Sequence, residues 1–242
     1  MFLASALGAF GHLVEGVVRN DDLLVRWSFD EGNGTIAQDA TVNDVDATIY
    51  GGGQWGSGIS GNALDLTGNS GWAEAGPHVN LKAQQNHTIA LWFKSAASQQ
   101  DWTQLLAKRE GITSPYFIQF DQGGNSAKVF YRFQASYLDG GAFSVSHDSW
   151  NHLVATFDGQ KFKTYLNGLT IGSVDEMRNV DQDNGKLGIG GTPDGGDVFN
   201  GLIDDVRLYN VPLSLEEIVV AYGDGMGDFG PKVEINATLA TH

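Results

Sequence analysis

Short segments in which every second residue is apolar recur along this chain. From Leu23 to Asp30, Val25, Trp27 and Phe29 fall on one face while Arg26 and Ser28 fall on the other. A period of two marks a strand with one buried face, because successive strand side chains point to opposite sides. Ile89, Leu91 and Phe93 alternate within residues 88–94. Within residues 128–135, Val129, Tyr131 and Phe133 alternate against Lys128, Arg132 and Gln134. Residues 152–157 and 162–166 predict two strands connected through Asp158-Gly159. Asn167-Gly168 predicts the next hairpin, since both central positions of a type I′ turn need positive φ. Residues 187–189 and 202–209 complete the strands. One short helix is predicted near the end. Ser214 and Glu217 form a capping box, Leu213 and Ile218 flank it, and Gly223 stops it after about two turns. Many short strands with frequent turns and almost no helix predict an all-β sandwich or barrel.

Composition narrows that picture. The 242 residues suit one large domain, placed at residues 21–223. Residues 1–20 form an N-terminal extension. Residues 224–242 form a linker or an added edge strand, in which Val233, Ile235, Ala237 and Leu239 alternate. Met1 to Leu13 is mildly apolar without a positive start, which fits a boundary within a longer protein as well as a leader. The 33 glycines against 5 prolines suit many tight turns. The net charge of -15 argues against nucleic acid and anionic membrane surfaces, which both need clustered Lys and Arg. No cysteine is present, so disulfides and thiolate chemistry are excluded. No stretch approaches the ~20 apolar residues of a membrane-spanning helix.

Catalytic signatures are poor. Glycoside hydrolysis needs two carboxyls held at a set separation, and none of the 8 glutamates alternates along a predicted central strand. Ser146-His147-Asp148-Ser149 holds the residue types of a triad, but a triad is assembled in space, and this run predicts the turn before Trp150. Asp181-Gln182-Asp183-Asn184-Gly185 resembles the opening of an acidic calcium loop without its later glutamate, and predicts a solvated turn. A sugar site needs aromatic faces with convergent polar groups. Trp55, Trp72 and Trp102 lie in or near Gly- and Ser-rich loops, and Tyr116, Arg132, Gln134 and Tyr137 are placed to line one sheet face. Arg132 and Gln134 are predicted to share a strand face. Trp27, Trp92 and Trp150 stand among apolar neighbours and predict core residues.

Five blocks in order resemble the laminin G-like group of the concanavalin A-type lectin and glucanase superfamily. They are LVRWSFDEGN from Leu24, GISGNALDL from Gly58, TIALWF from Thr88 with LLAK from Leu105, WNHLVATFDGQKFKTYLNG from Trp150, and GLIDDVRLY from Gly201. They cover about residues 23–222. The resemblance implies a two-sheet antiparallel jelly-roll sandwich, one sheet concave, with the short C-terminal helix. It implies a structural calcium at the rim, held by Asp30 and Asp204 with carbonyl oxygens from the Thr67-Gly68 turn, and with Asn33 and Asp205 as further candidates. Calcium takes about six to eight oxygen ligands, which suits that donor set. The function expected is a non-catalytic, calcium-stabilised binding or adhesion module. It would recognise a glycan or a cell-surface protein, outside the cell or at its surface, beside neighbouring domains of a longer chain and without membrane insertion. The alternatives are a glycan-degrading hydrolase or lyase, and a spacer without a small-molecule site.

Overall fold

The structure is a computed structural model that describes residues 20–68, 71–111 and 113–225. The alternating segments pair into two eight-stranded sheets that form a jelly-roll sandwich. In the first sheet β14 (Leu169–Asp175), β13 (Lys161–Leu166), β12 (Trp150–Asp158), β7 (Asn86–Ser95), β16 (Gly201–Tyr209), β5 (Asn62–Asp65) and β4 (Gln54–Ser57) lie in that order. β1 (Leu23–Trp27) also pairs with β16. In the second sheet the order is β11 (Ser136–Ser144), β10 (Ser126–Phe133), β9 (Thr113–Phe120), β8 (Gln104–Glu110), β15 (Lys186–Ile189), β6 (Gly71–Ala75), β3 (Ala47–Gly51) and β2 (Ile36–Ala37). The registers of these strands are antiparallel throughout.

The inner faces make one core. Ile89, Leu91 and Phe93 of β7 meet Val129, Tyr131 and Phe133 of β10 across it, with Phe120 and Phe199 filling the space beside Phe93. Each fully buried large apolar side chain contributes about 1.5–3 kcal/mol relative to exposure. His87 is also inside, where its ring shares a hydrogen bond of 2.7 Å with the Tyr131 hydroxyl. At one flank Gly140 of β11 lies against Phe162 and Gly172 of β14. A Cβ on Gly172 would sit 2.0 Å from the Gly140 carbonyl oxygen, so glycine there lets the two sheets' edge strands touch.

Three expectations change. The acidic run at residues 181–185 is no solvated turn: Asp183 is buried and its Oδ1 accepts from the Lys108 ammonium at 2.5 Å, with Lys108 itself 1% exposed. Desolvating one charge requires burying its partner beside it. The last predicted residues of β10 leave the strand. Gln134 and Ala135 have φ of 48° and 64° and form a two-residue turn into β11. Their N–H groups donate to the Asp181 carboxylate, which fixes that turn. The helix α1 (Leu215–Gly225) runs through Gly223 and is longer than two turns. Gly223 has open space around it and costs a helix only about 1 kcal/mol, so it does not end one alone. The capping box forms as expected, with Ser214 N–H donating to Glu217 at 2.7 Å and Glu217 N–H donating to Ser214 Oγ at 3.3 Å. The alternating residues 233–239 lie outside the described residues, as does most of the N-terminal extension.

Candidate functional site

Two places bring chemistry-bearing residues together. The first is at the rim of the first sheet. β16 carries a bulge between Asp204 and Arg207, and the inserted Asp205 has a φ of 45°. A bulge re-aims side chains at a sheet edge. Here it turns Asp204 and Asp205 toward the β1 end and the 58–61 loop. Arg26, Ser28, Asp30, Ile59, Ser60, Asp204, Asp205 and Arg207 line a cavity of about 200 Å³. Both guanidinium groups are spent on Asp205: Arg26 Nε donates to it at 2.8 Å and Arg207 forms a two-point pair. Asp204 has no cationic partner among the described residues. It is 1% exposed, its Oδ2 accepts from the Ile59 N–H at 2.9 Å, and burial pushes its carboxyl up to about 7. Asp30 is exposed and accepts from the Asn62 N–H at 3.0 Å. Glycines make this approach possible. A Cβ on Gly61 would fall 2.0 Å from Asp30 Oδ1, and one on Gly58 would fall 2.5 Å from Asp204 Oδ2.

The expected metal residues therefore divide. Asp30 and Asp204 share the cavity. Thr67 and Gly68 do not line it, because the four residues of β5 carry the chain away from the cavity end at Asn62 by about 3.3 Å each. The Thr67-Gly68 turn instead donates from Thr67 N–H to Asp65 and from Gly68 N–H to Asn200. Ile59 and Ser60 take its place at the cavity. Asn33 donates to the Glu31 carbonyl and lies outside the lining. Among the described residues no three His, Cys, Asp or Glu converge as a metal cluster. A calcium here would complete its shell from carbonyl, hydroxyl and water oxygens, which suits a hard cation.

The second place is the outer face of the second sheet. Tyr137 of β11 is 49% exposed and stands edge-on to Phe117 of β9, at 5.4 Å between ring centres. Phe117 stacks on Phe130 of β10 at 4.7 Å. Arg132 lies 5.9 Å from the centre of the Tyr137 ring, and pairs with Asp181 at 3.3 Å. Gln119 donates to the carbonyl of Trp102, which is 51% exposed and held at a φ of 65°. This face combines aromatic rings with amide, guanidinium and ammonium donors, the make-up of a sugar-contact surface.

Of the residues expected at a ligand, Tyr137 and Arg132 meet on this face, and Trp102 touches it farther along through its carbonyl's bond to Gln119. Trp72 is on the same face farther along, stacked on Tyr50 at 5.3 Å and covered by Gly195. Gln134 is in the turn. Tyr116 points the other way: it is 1% exposed and its hydroxyl donates to the Leu81 carbonyl inside the core. Strand parity explains it, because Tyr116 shares a face with Ile118 and Phe120. Trp55 packs against the core edge and donates its indole N–H to the Gly34 carbonyl. Phe117 and Phe130 were missed, though Phe130 lies between Lys128 and Arg132 and so shares their parity.

A family model of the concanavalin A-like lectin/glucanases superfamily, of laminin G type, matches residues 67–219. No curated protein sequence is matched. Among solved structures the fold is similar to domain 4 of AbnA, an extracellular GH43 arabinanase from Geobacillus stearothermophilus, in complex with arabinotriose. The identity is 21%, the TM-score 0.67, and the match covers 84% of this chain and 98% of that one. It is also similar to the binding domain of Paraclostridial Mosquitocidal Protein 1, at 14% identity and a TM-score of 0.68, over 85% of this chain and 52% of that one. The binding domain of botulinum neurotoxin DC in complex with SialylT gives 13% identity and a TM-score of 0.67, over 85% of this chain and 52% of that one. This chain thus spans about half the length of those toxin domains. With the family model matching more than half of its residues and the sandwich formed as described, the chain belongs to the laminin G-type family of the concanavalin A-like lectin/glucanases superfamily.

Proposed function

We propose that this protein is a non-catalytic, calcium-stabilised glycan-binding module of a surface or secreted protein. The observation that carries the reading is the open platform of Tyr137, Phe117 and Phe130 with Arg132 beside it. Partly exposed aromatic rings on a rigid sheet provide apolar contact for sugar faces, and the adjacent donors orient hydroxyls. The similar arabinanase domain, solved with arabinotriose, supports this reading. Calcium at the rim is supported by Asp204, a buried acid with no cationic partner among the described residues, beside Asp30.

Two measurements test it. A glycan array with calcium present should give hits that Tyr137→Ala loses while its melting temperature stays within about 2 °C of wild type, since surface changes are mostly within about 0.5 kcal/mol. Hits retained in full by Tyr137→Ala would reject this face. Calcium should raise the melting temperature relative to chelator, because a ligand of the native state stabilises it by mass action. Asp204→Asn should remove that difference. A calcium response unchanged in Asp204→Asn would remove the residue from the site. The shared cavity of Asp30 and Asp204, with one carboxyl raised to about 7, also favours a hydrolase as the second reading. Release of reducing ends from a bound glycan, lost in Asp204→Asn, would establish it instead.

A further inference from the structure

Lysine is rarely buried in full unless it is paired. Lys108 of β8 points inward, and its side chain is 1% exposed against 3% for that of Asp183. Asp183 belongs to residues 176–185, the connection that leaves β14 in the first sheet and enters β15 in the second. Lys108 Nζ meets Asp183 Oδ1 at 2.5 Å and also donates to the Gly185 carbonyl. Oδ1 accepts from the Gly185 N–H at 3.0 Å as well, whereas Oδ2 is buried and has no partner among the described residues. Glycine at 185 makes this approach possible, because a Cβ there would fall 1.9 Å from the Arg109 carbonyl oxygen. Tyr116 is opposite Lys108 in the register. Burial, and then the nearby charge of Asp183, raise its phenol above the ordinary range.

Stability does not explain the pair. A buried ion pair is often no better than two apolar side chains of similar volume, since each charge loses its hydration. An amide between the two side chains removes both buried charges and still holds β8 to the connection. The chain has no cysteine, so a disulfide cannot supply a covalent tie, and an amide needs no oxidant.

We infer that Lys108 and Asp183 join as an intramolecular isopeptide, a covalent staple between β8 and the connection that links the two sheets. The reaction is a condensation within the pair. One ammonium proton passes to the free Oδ2, the nitrogen lone pair attacks Cγ, and the bond from Cγ to Oδ2 breaks. The leaving hydroxyl takes a second proton from nitrogen and departs as water, so the amide keeps one N–H and no other reagent is consumed. Among the described residues no three His, Cys, Asp or Glu converge to relay protons. The rate therefore rests on proximity, a contact already made in place of an encounter, and bond formation is expected to be slow. The staple closes a loop of 75 positions and restricts the unfolded chain as a disulfide of that span does. It does not depend on what the outer face binds.

The test is mass spectrometry of the intact protein, freshly purified and after warm incubation in its folded state. The expected result is a species lighter than the unmodified chain by one water, in a fraction that grows with incubation. Trypsin should then release residues 95–109 joined to residues 179–186, because acylated Lys108 is no longer cleaved. Lys108→Met should keep the full mass throughout. Removing one partner of a buried pair is strongly destabilising, so a second control uses the wild type in urea. Unfolding parts the two residues, and the joined fraction should stop growing there. A full mass at every time would overturn the inference. So would a water lost inside a single peptide, as at Asp158-Gly159, a water still lost in Lys108→Met, or a joined peptide that forms as fast in urea as in the folded protein.

Discussion

The two sheets have the same construction and opposite fates on their outer faces. The first sheet sends Trp92 and His152 outward from β7 and β12, and helix α1 lies on them. Trp92 stacks with His152 at 4.7 Å and with Tyr222 of the helix at 5.5 Å. Leu213 and Ile218 close a small second core there with Ala90, Val154, Tyr165 and Tyr209. Trp92 ends 1% exposed and His152 3% exposed. The second sheet sends Phe117, Phe130 and Tyr137 outward and no element covers their rings among the described residues. An outward aromatic is a packing residue where a helix lands on it and a contact surface where none does. The core-facing alternation is the same in the two cases, but the outward set differs, Ala90 and Trp92 on β7 against Phe130 between Lys128 and Arg132 on β10.

Changes on the two faces should separate the roles. The largest effect is expected at Trp92→Ala, which empties a buried site and should cost about 3–5 kcal/mol, read by chemical denaturation. Phe130→Ala on the open face should cost clearly less and should reduce glycan binding instead. Equal losses of stability at both positions would erase the distinction. Next in size is a pH effect confined to the covered face. Burial lowers His152 to about 4 from its ordinary 6.5, so the folded state keeps it neutral while the unfolded chain protonates it. Its contribution is whole above pH 6.5 and is lost progressively as pH falls from 6.5 toward 4, by up to about 3 kcal/mol. His87 acts in the same sense, and Asp204, raised to about 7, in the opposite one. The informative quantity is therefore the difference between proteins: His152→Gln should lose less stability than wild type between pH 7 and pH 4.5. Parallel curves would place His152 in contact with water. The smallest effect is expected at Ser214→Ala, which removes the side-chain half of the capping box and should cost about 1 kcal/mol, seen as a small drop in melting temperature. A much larger loss would mean that the cap also holds the helix on the Trp92 face.

Much of this was legible in the residues. The hairpins at Asp158-Gly159 and Asn167-Gly168 formed where their turn residues demanded, Asn167 at a φ of 51° and Gly168 at 77°. The capping box formed because Ser214 and Glu217 need only each other and three residues of backbone. Asp30 and Asp204 were paired by likeness to a family, and the fold brought them to one cavity. Other assignments failed for want of long-range information. Tyr116 and Tyr137 are both strand tyrosines, and the parity of Tyr116 with Ile118 and Phe120 could be read only once β9 was known to run from Thr113 to Phe120. Asp183 resembled any turn aspartate until Lys108, 75 positions away in sequence, was buried beside it.

The sequence by itself determined the clearly alternating strands, the hairpin turns beside them and the helix cap, since these depend on local dihedral preference, on a period of two and on hydrogen bonds that span a few residues, whereas strands such as β3, β4, β8 and β9 were not read from it. Tertiary structure decided which outward face would be covered and which acid would be buried with no cationic partner among the described residues. Those outcomes depend on register and on where a distant helix lands, and neither quantity is carried by any single stretch of the chain.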